Sequence, residues 1–298
     1  MSEGNMERCK YKLKGHESFI LRDGWLTKGL RAVENDPKIF SNNSGADALG
    51  VGTNMAKSIR YWMKTAELTE ELPIKGVFLT KFGKVILEED LYLEDIFTIW
   101  LIHCNIACNY EQATLWNLFF NELEITSAFS RDELFGMEKE LFMQLTGEDN
   151  VSERSIRDDC TAILAMYTAK GNQEDDPEDK KVSPFAELGL IGKNGDKFIR
   201  QRPMLNKIDS LIILYLILNE LNEKGSLQID HITDGRNMPG KILNLNRIMI
   251  NDFLDELQNK GYIIVNRTAG LDIVYPDQCK DFTQLDLLKM HYKGGTRP

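Results

Sequence analysis

Gly15-His-Glu-Ser-Phe-Ile-Leu-Arg22 sets a histidine, a carboxylate, a hydroxyl and a guanidinium side by side. A histidine or glutamate in such company can take a proton from an attacking group, and an arginine can hold the phosphate under attack. His16, Glu17 and Arg22 are therefore the candidate catalytic residues. A structural reading competes with this one, in which Ser18 caps the helix of Trp25 and Leu26 while Glu17 pairs with Arg22. Residue types alone leave both open.

A second group follows in the stretch from Leu49 to Leu68, which reads as one helix with two faces. Met55, Ile59, Trp62, Met63 and Ala66 recur at helical spacing and make an apolar stripe. Lys57, Arg60 and Lys64 fall near the opposite side, so burying the stripe holds three cations out in solvent together. Such a face suits the phosphates of DNA. Thr53 or Asn54 caps the first turn behind Gly50 and Gly52. Lys28, Asn54, Tyr61 and Lys75 complete the candidate DNA-binding set in this segment, and Lys241 could reach a phosphate from the tight turn Met238-Pro-Gly-Lys-Ile242.

The elements that must position these residues follow from periodicity and turn signals. Val77 to Thr80 reads as a short strand feeding a helix from Lys81 to Leu87, so helix, turn, helix and hairpin appear in the order of a winged helix-turn-helix. That defines an N-terminal DNA-binding domain over 1–92. Residues 93–170 read as an acidic helical middle domain with helices at Glu94 to Ile106, Ala113 to Leu123, Arg131 to Leu145 behind Ser130, and Glu153 to Tyr167 behind Ser152. The stretch 171–184 reads as an acidic linker or loop. In 185–298, helices from Asp209 to Asn222 and Asn246 to Lys260 precede a hairpin of Tyr262 to Val265 with Leu271 to Tyr275. The expected fold is mainly α with short β-hairpin wings: tandem winged helix-turn-helix-like modules around a helical middle. Asp252, Asp255 and Glu256 make the last helix too acidic for a DNA groove, with Arg267 at the wing tip the basic exception.

Composition bounds what such a chain does. Its 298 residues, 42% of them hydrophobic, suffice for a large core, and the net charge of -10 argues against a general nucleic-acid coat. The charge is uneven: residues 8–84 carry 14 Lys/Arg against 8 Asp/Glu, residues 91–192 carry 7 against 20, and residues 193–298 carry 15 against 13. Five scattered cysteines without a Cys-x-x-Cys pair indicate neither a disulfide framework nor a zinc site. His103 beside Cys104 and Cys108 reads as a satisfied core histidine, and Asn117 with Asn121 as a solvated face or a helix-helix hydrogen bond. No metal ligands are assigned. Phosphate-cradling and nucleotide-binding glycine motifs are absent, as are a signal peptide and a membrane span, so the expectation is a soluble cytoplasmic protein.

Gly15-His-Glu-Ser-Phe with Trp25-Leu-Thr-Lys-Gly29, Leu49-Gly-Val-Gly-Thr-Asn-Met with Ser58-Ile-Arg-Tyr-Trp62, Asn117-Leu-Phe-Phe-Asn121 and Pro239-Gly-Lys-Ile242 together resemble the hallmarks of one family. It is the uncharacterised-domain family that includes SspB, the DNA-nicking component of single-stranded DNA phosphorothioation systems. The resemblance runs from about Gly15 to Pro276. It implies a bacterial defence protein that works on DNA with a cysteine desulfurase and ATP-dependent sulfur-transfer proteins, nicking a strand so that sulfur can enter, with a divalent metal if it cleaves. The alternative within the same frame is a non-catalytic DNA-binding adaptor that recruits the modification partners.

Overall fold

The computed structural model describes residues 10–41, 43–148, 150–168 and 182–294. Its first elements are α1 (Trp25–Asn35), α2 (Ala46–Leu49), α3 (Thr53–Thr65), an antiparallel hairpin of β1 (Thr69–Leu72) and β2 (Gly76–Leu79), and α4 (Lys81–Glu89). The helix expected behind a turn at Gly50 and Gly52 is α3, while Leu49 belongs to the separate short α2. Gly50, with φ +63, closes α2, and Gly52 is the cap of α3. Neither Thr53 nor Asn54 caps: Thr53 already lies in the first turn, and its hydroxyl donates to Asn43 Oδ1 at 3.2 Å. The apolar stripe does face the core, with Ile59, Trp62, Met63 and Ala66 sealed from solvent. Gly29 lets α1 approach that stripe closely, since a Cβ there would stand 2.0 Å from Met63 Sδ. Thr80 caps α4 by accepting from Gly83 N at 2.9 Å, which fixes the exit from the hairpin.

The middle of the chain holds α5 (Ile96–Cys108), α6 (Thr114–Asn121), α7 (Arg131–Thr146) and α8 (Glu153–Thr168). From Phe97 to Ala107 every residue of α5 is buried, which fits a helix that is apolar all round. A capping box of Ser130 and Glu133 starts α7, and Ser152 accepts from Ser155 N at the start of α8. After Ser183 a short 3-10 turn at Pro184–Leu188 lies against α8 and α5, then β3 (Ile191–Asn194) and β4 (Lys197–Arg200) form a second hairpin that periodicity did not announce. The expected linker at 171–184 falls outside the described residues except for 182–184, where Ser183 is buried.

The last third runs α9 (Ser210–Lys224), β5 (Leu227–Gln228), α10 (Ile229–Asp234), α11 (Pro239–Ile242), α12 (Arg247–Asn259), β6 (Ile263–Asn266), β7 (Ile273–Pro276) and α13 (Gln284–Tyr292). The three strands form an antiparallel sheet in the order β5-β7-β6, with Val265 opposite Val274. Asp209 and Asn246 cap α9 and α12. The final helix, α13, packs on α9 and also on α4, so the end of the chain returns to its beginning. The described residues are mainly helical with three small antiparallel sheets, around one hydrophobic cluster that reaches from Leu21 to Met290. Among the described residues no helix is long and apolar enough to cross a membrane.

Candidate functional site

The His16 loop is drawn inward. His16 is fully buried, with Nε2 2.7 Å from Asp159 Oδ1, its ring stacked on Trp62 and edge-on to Trp116. Asp159 also accepts from the backbone N–H of Lys14 at 2.9 and 3.1 Å. Next to it on α8, Asp158 takes Lys14 Nζ at 2.6 Å and the Ser18 hydroxyl at 3.3 Å. Burial raises the Asp159 carboxyl, although the His16 bond opposes the rise. Burial, then the charge of Asp159, pushes the sealed Glu138 carboxyl well above the usual carboxylate range. His16 therefore anchors its loop to α8, beyond reach of a DNA strand, and Glu17 sits half-buried at φ +51 on the loop. Ser18 does not cap α1 either, because Gly24 occupies that position.

Arg22 lies elsewhere, across the rings of Phe19 and Trp25, on the wall of a cleft of about 1060 Å³. Asp23, Glu94, Glu187, Arg202 and Lys207 line the same cleft. The backbone of Asp23 is fixed by its N–H donating to Val182 O at 3.1 Å. Burial, and then the charge of Glu187, raises its carboxyl, so the two acids sense one another. Helix α1 begins on this wall at Gly24 without a side-chain cap, which turns its positive end toward the cleft. The arrangement brings cations for a phosphate and carboxylates for a proton into one concavity. Sequence reasoning found only Arg22 of this set. Asp23 stood beside it, but Glu187, Arg202 and Lys207 arrive from more than 160 positions away.

The predicted DNA-binding residues divide. Lys28, Asn54, Lys57 and Lys75 are exposed. Arg60 and Lys64 are half-exposed rather than free in solvent, because both reach Glu71 at the end of β1, at 2.8 and 3.2 Å. Burial alone would raise the Glu71 carboxyl, yet its bonds to Lys64 and Arg60 hold it below the usual range. Lys12, missed in the sequence, joins this group with Nζ over the Tyr61 ring at 5.2 Å, and burial and the neighbouring Lys64 lower its amine. Three cations thus share one carboxylate. Tyr61 is buried and its hydroxyl donates to Gln112 O at 2.8 Å, so it supports the face from within and does not present a ring to DNA. Lys241 lies apart, with Nζ 3.7 Å from Glu124.

The remaining motif residues stabilise the junction of middle and end. His103 places Nδ1 2.7 Å from the Tyr167 hydroxyl and Nε2 3.0 Å from Ile242 O, and burial takes its pKa down to about 4. Asn117 and Asn121 are buried, contrary to a solvated face, and both donate to Asn237 Oδ1 at 3.1 Å. The half-buried Arg200 donates to Phe119 O, Leu123 O and Lys241 O, with its pKa lowered by desolvation to about 10. Burial raises the thiols of Cys104, Cys160 and Cys279, and takes that of Cys108 up to about 12.

The class defined is a mainly helical protein whose hairpins and charged cleft are assembled on one core. Residues 13–292 match the family described as "Protein of unknown function (DUF4007)", and the chain belongs to that family. Two solved structures share its fold: a magnesium ion-bound SspB crystal structure, at TM-score 0.83 and 23% identity, and an SspB crystal structure at 0.82 and 24%. Each alignment covers 96% of this chain and 90% of the other. No curated protein matches the sequence.

Proposed function

We propose that this chain binds DNA through the Lys12/Arg60/Lys64 face and cuts one strand in the Arg22–Asp23 cleft, as the nicking member of a phosphorothioation defence system. Its partners in that reading are a cysteine desulfurase and ATP-dependent sulfur-transfer proteins. The observation that carries the catalytic half is the mixed lining of the cleft. Asp23, with its raised carboxyl, suits a general base for water, while Arg22, Arg202 and Lys207 suit the charge that builds on phosphate. The expected catalytic centre therefore moves from His16 and Glu17 to Asp23, with Arg22 retained.

Magnesium fits this lining in part. Among the described residues no group of three or more His, Cys, Asp or Glu is placed for a metal. Asp23 and Glu187 offer two hard carboxylates, and Mg²⁺ commonly takes one or two of these and fills its shell with water and substrate phosphate. When bound it would supply charge neutralisation at the phosphate. The modular reading has support too. From α9 to β7, helices and strands alternate as in a winged helix, with the wing between β6 and β7, and the N-terminal hairpin follows α3 in the same sense.

Relaxation of supercoiled plasmid with Mg²⁺ tests the reading. Asp23→Asn is expected to slow nicking by ~100-fold or more while DNA affinity stays within about twofold. Normal nicking by this variant would remove the cleft from the mechanism. Wild-type protein that binds DNA but fails to nick it with any divalent ion would leave the non-catalytic adaptor.

A further inference from the structure

The turn joining β1 to β2 is built against its own residue preferences. Lys75 N donates to Leu72 O at 3.1 Å, and the residues between are Pro73 and Ile74. Proline at the second position and a positive φ at the third describe a type II turn, whose third position favours glycine or asparagine. Here it is Ile74, at φ +69. Among the described residues no other β-branched side chain has a positive φ, a conformation that a branched Cβ resists. Ile74 is also 100% exposed, ahead of every other large apolar residue among those described, the next being Ile248 at 72%. A strained apolar side chain that touches nothing in its own fold gains nothing from folding.

The tip is nonetheless held firmly. Val77 N donates to Pro37 O at 2.8 Å, and Gly76, at φ +120, lies so close that a Cβ would meet Pro37 O at 2.2 Å. Lys75 flanks Ile74, Lys38 follows Pro37, and Arg60 and Lys64 meet Glu71, which pairs with Val77 just behind the turn. Beside the turn is a hollow of about 340 Å³, lined by Phe40, Ser41, Arg60, Glu71 and Leu72 among others. A rigid apolar point ringed by cations matches one chemistry well: a wedge that enters the base stack of duplex DNA while the cations hold flanking phosphates.

We infer that Ile74 is a wedge that unstacks a base step of duplex DNA, with the Phe40–Arg60 hollow receiving the edge of the displaced base. This rests on the DNA-binding half of the proposed function and adds to it a local distortion of the duplex. Full-length protein is titrated against duplexes carrying 2-aminopurine at successive positions, for wild type, Ile74→Gly and Ile74→Met. Glycine is at home at φ +69, so Ile74→Gly is expected to fold and melt no lower than wild type. Wild type is expected to raise fluorescence several-fold at one position; Ile74→Gly should abolish the rise with affinity within about threefold, and Ile74→Met should keep part of it. Binding without a rise at any position, or an undiminished rise with Ile74→Gly, overturns the wedge alone. No duplex binding by wild type overturns the DNA-binding reading on which it rests.

Discussion

The N-terminal and C-terminal units both place a helix before an antiparallel hairpin, yet they treat charge in opposite ways. In the C-terminal unit, Arg247 bonds Asp230 and Asp272, Arg267 meets Asp255 at 2.7 Å, and Lys260 meets Glu256 at 2.7 Å. These cations of α12 and the β6–β7 connection are answered from within the same third of the chain. In the N-terminal unit Arg60 and Lys64 both bond Glu71, Lys12 lies over the Tyr61 ring and feels their charges, and Lys57 and Lys75 stand exposed. Residues 193–298 nevertheless carry 15 Lys/Arg against 13 Asp/Glu. A small positive excess along a chain says little about attraction for phosphate where cations are paired as Arg247, Lys260 and Arg267 are; uneven pairing is what leaves a field.

The largest break in this contrast is expected at the anchor of the N-terminal face. His16→Ala removes the ring that meets the buried Asp159, and should lower unfolding free energy by about 3 kcal/mol in urea denaturation. Nicking and binding should then fall only with the folded fraction, whereas a stable His16→Ala protein that fails to nick would return the histidine to the chemistry.

A smaller effect sharpens the charge argument directly. Replacing Lys57, Arg60 and Lys64 by Ala should flatten the slope of log affinity against log salt by about 0.9 for each phosphate that is no longer neutralised. Replacing Arg247 and Arg267 by Ala should leave that slope unchanged, as read by fluorescence anisotropy. Equal flattening in both variants would erase the distinction between the units.

The smallest effect concerns a histidine that joins the two ends. His291 lies 2.8 Å from Asp95 and 3.3 Å from Asp209, the carboxylates that cap α5 and α9. Burial lowers its pKa, but the bonds to Asp209 and Asp95 outweigh burial and raise it. The stabilisation is therefore full below the unfolded value of about 6.5 and is lost as pH rises through the higher folded value. The gap in stability between wild type and His291→Gln should be under ~1 kcal/mol because the site is partly exposed, and should close toward alkaline pH in melting curves. A gap that widens with pH would contradict the assignment.

What the sequence made legible was local. Ser130, Ser152, Asp209 and Asn246 mark helix starts within one turn of the residues they serve. The Ile59, Trp62 and Met63 stripe follows from one helix's period. The same period does not reveal that Tyr61 is buried, because α3 is covered on a second side where Ser58 and Thr65 are buried too. His16 was read as reactive because its partner Asp159 lies 143 positions away, where no spacing rule connects them. The cleft was half visible for the same reason: Arg22 and Asp23 are neighbours in sequence, but Glu187, Arg202 and Lys207 join them only through the fold.

The thiols carry a consequence for the division of labour. Sulfur moves between proteins as a persulfide, formed when a thiolate attacks a donor, so a carrier cysteine must ionise near neutral pH and be reachable. Cys104, Cys108, Cys160 and Cys279 have their ionisation pushed upward by burial, and three of the four are sealed in the core. They are packing atoms rather than way stations. Under the proposed role, sulfur does not travel through these four side chains to reach the nucleic acid, and of the five cysteines in the sequence only Cys9 lies outside the described residues.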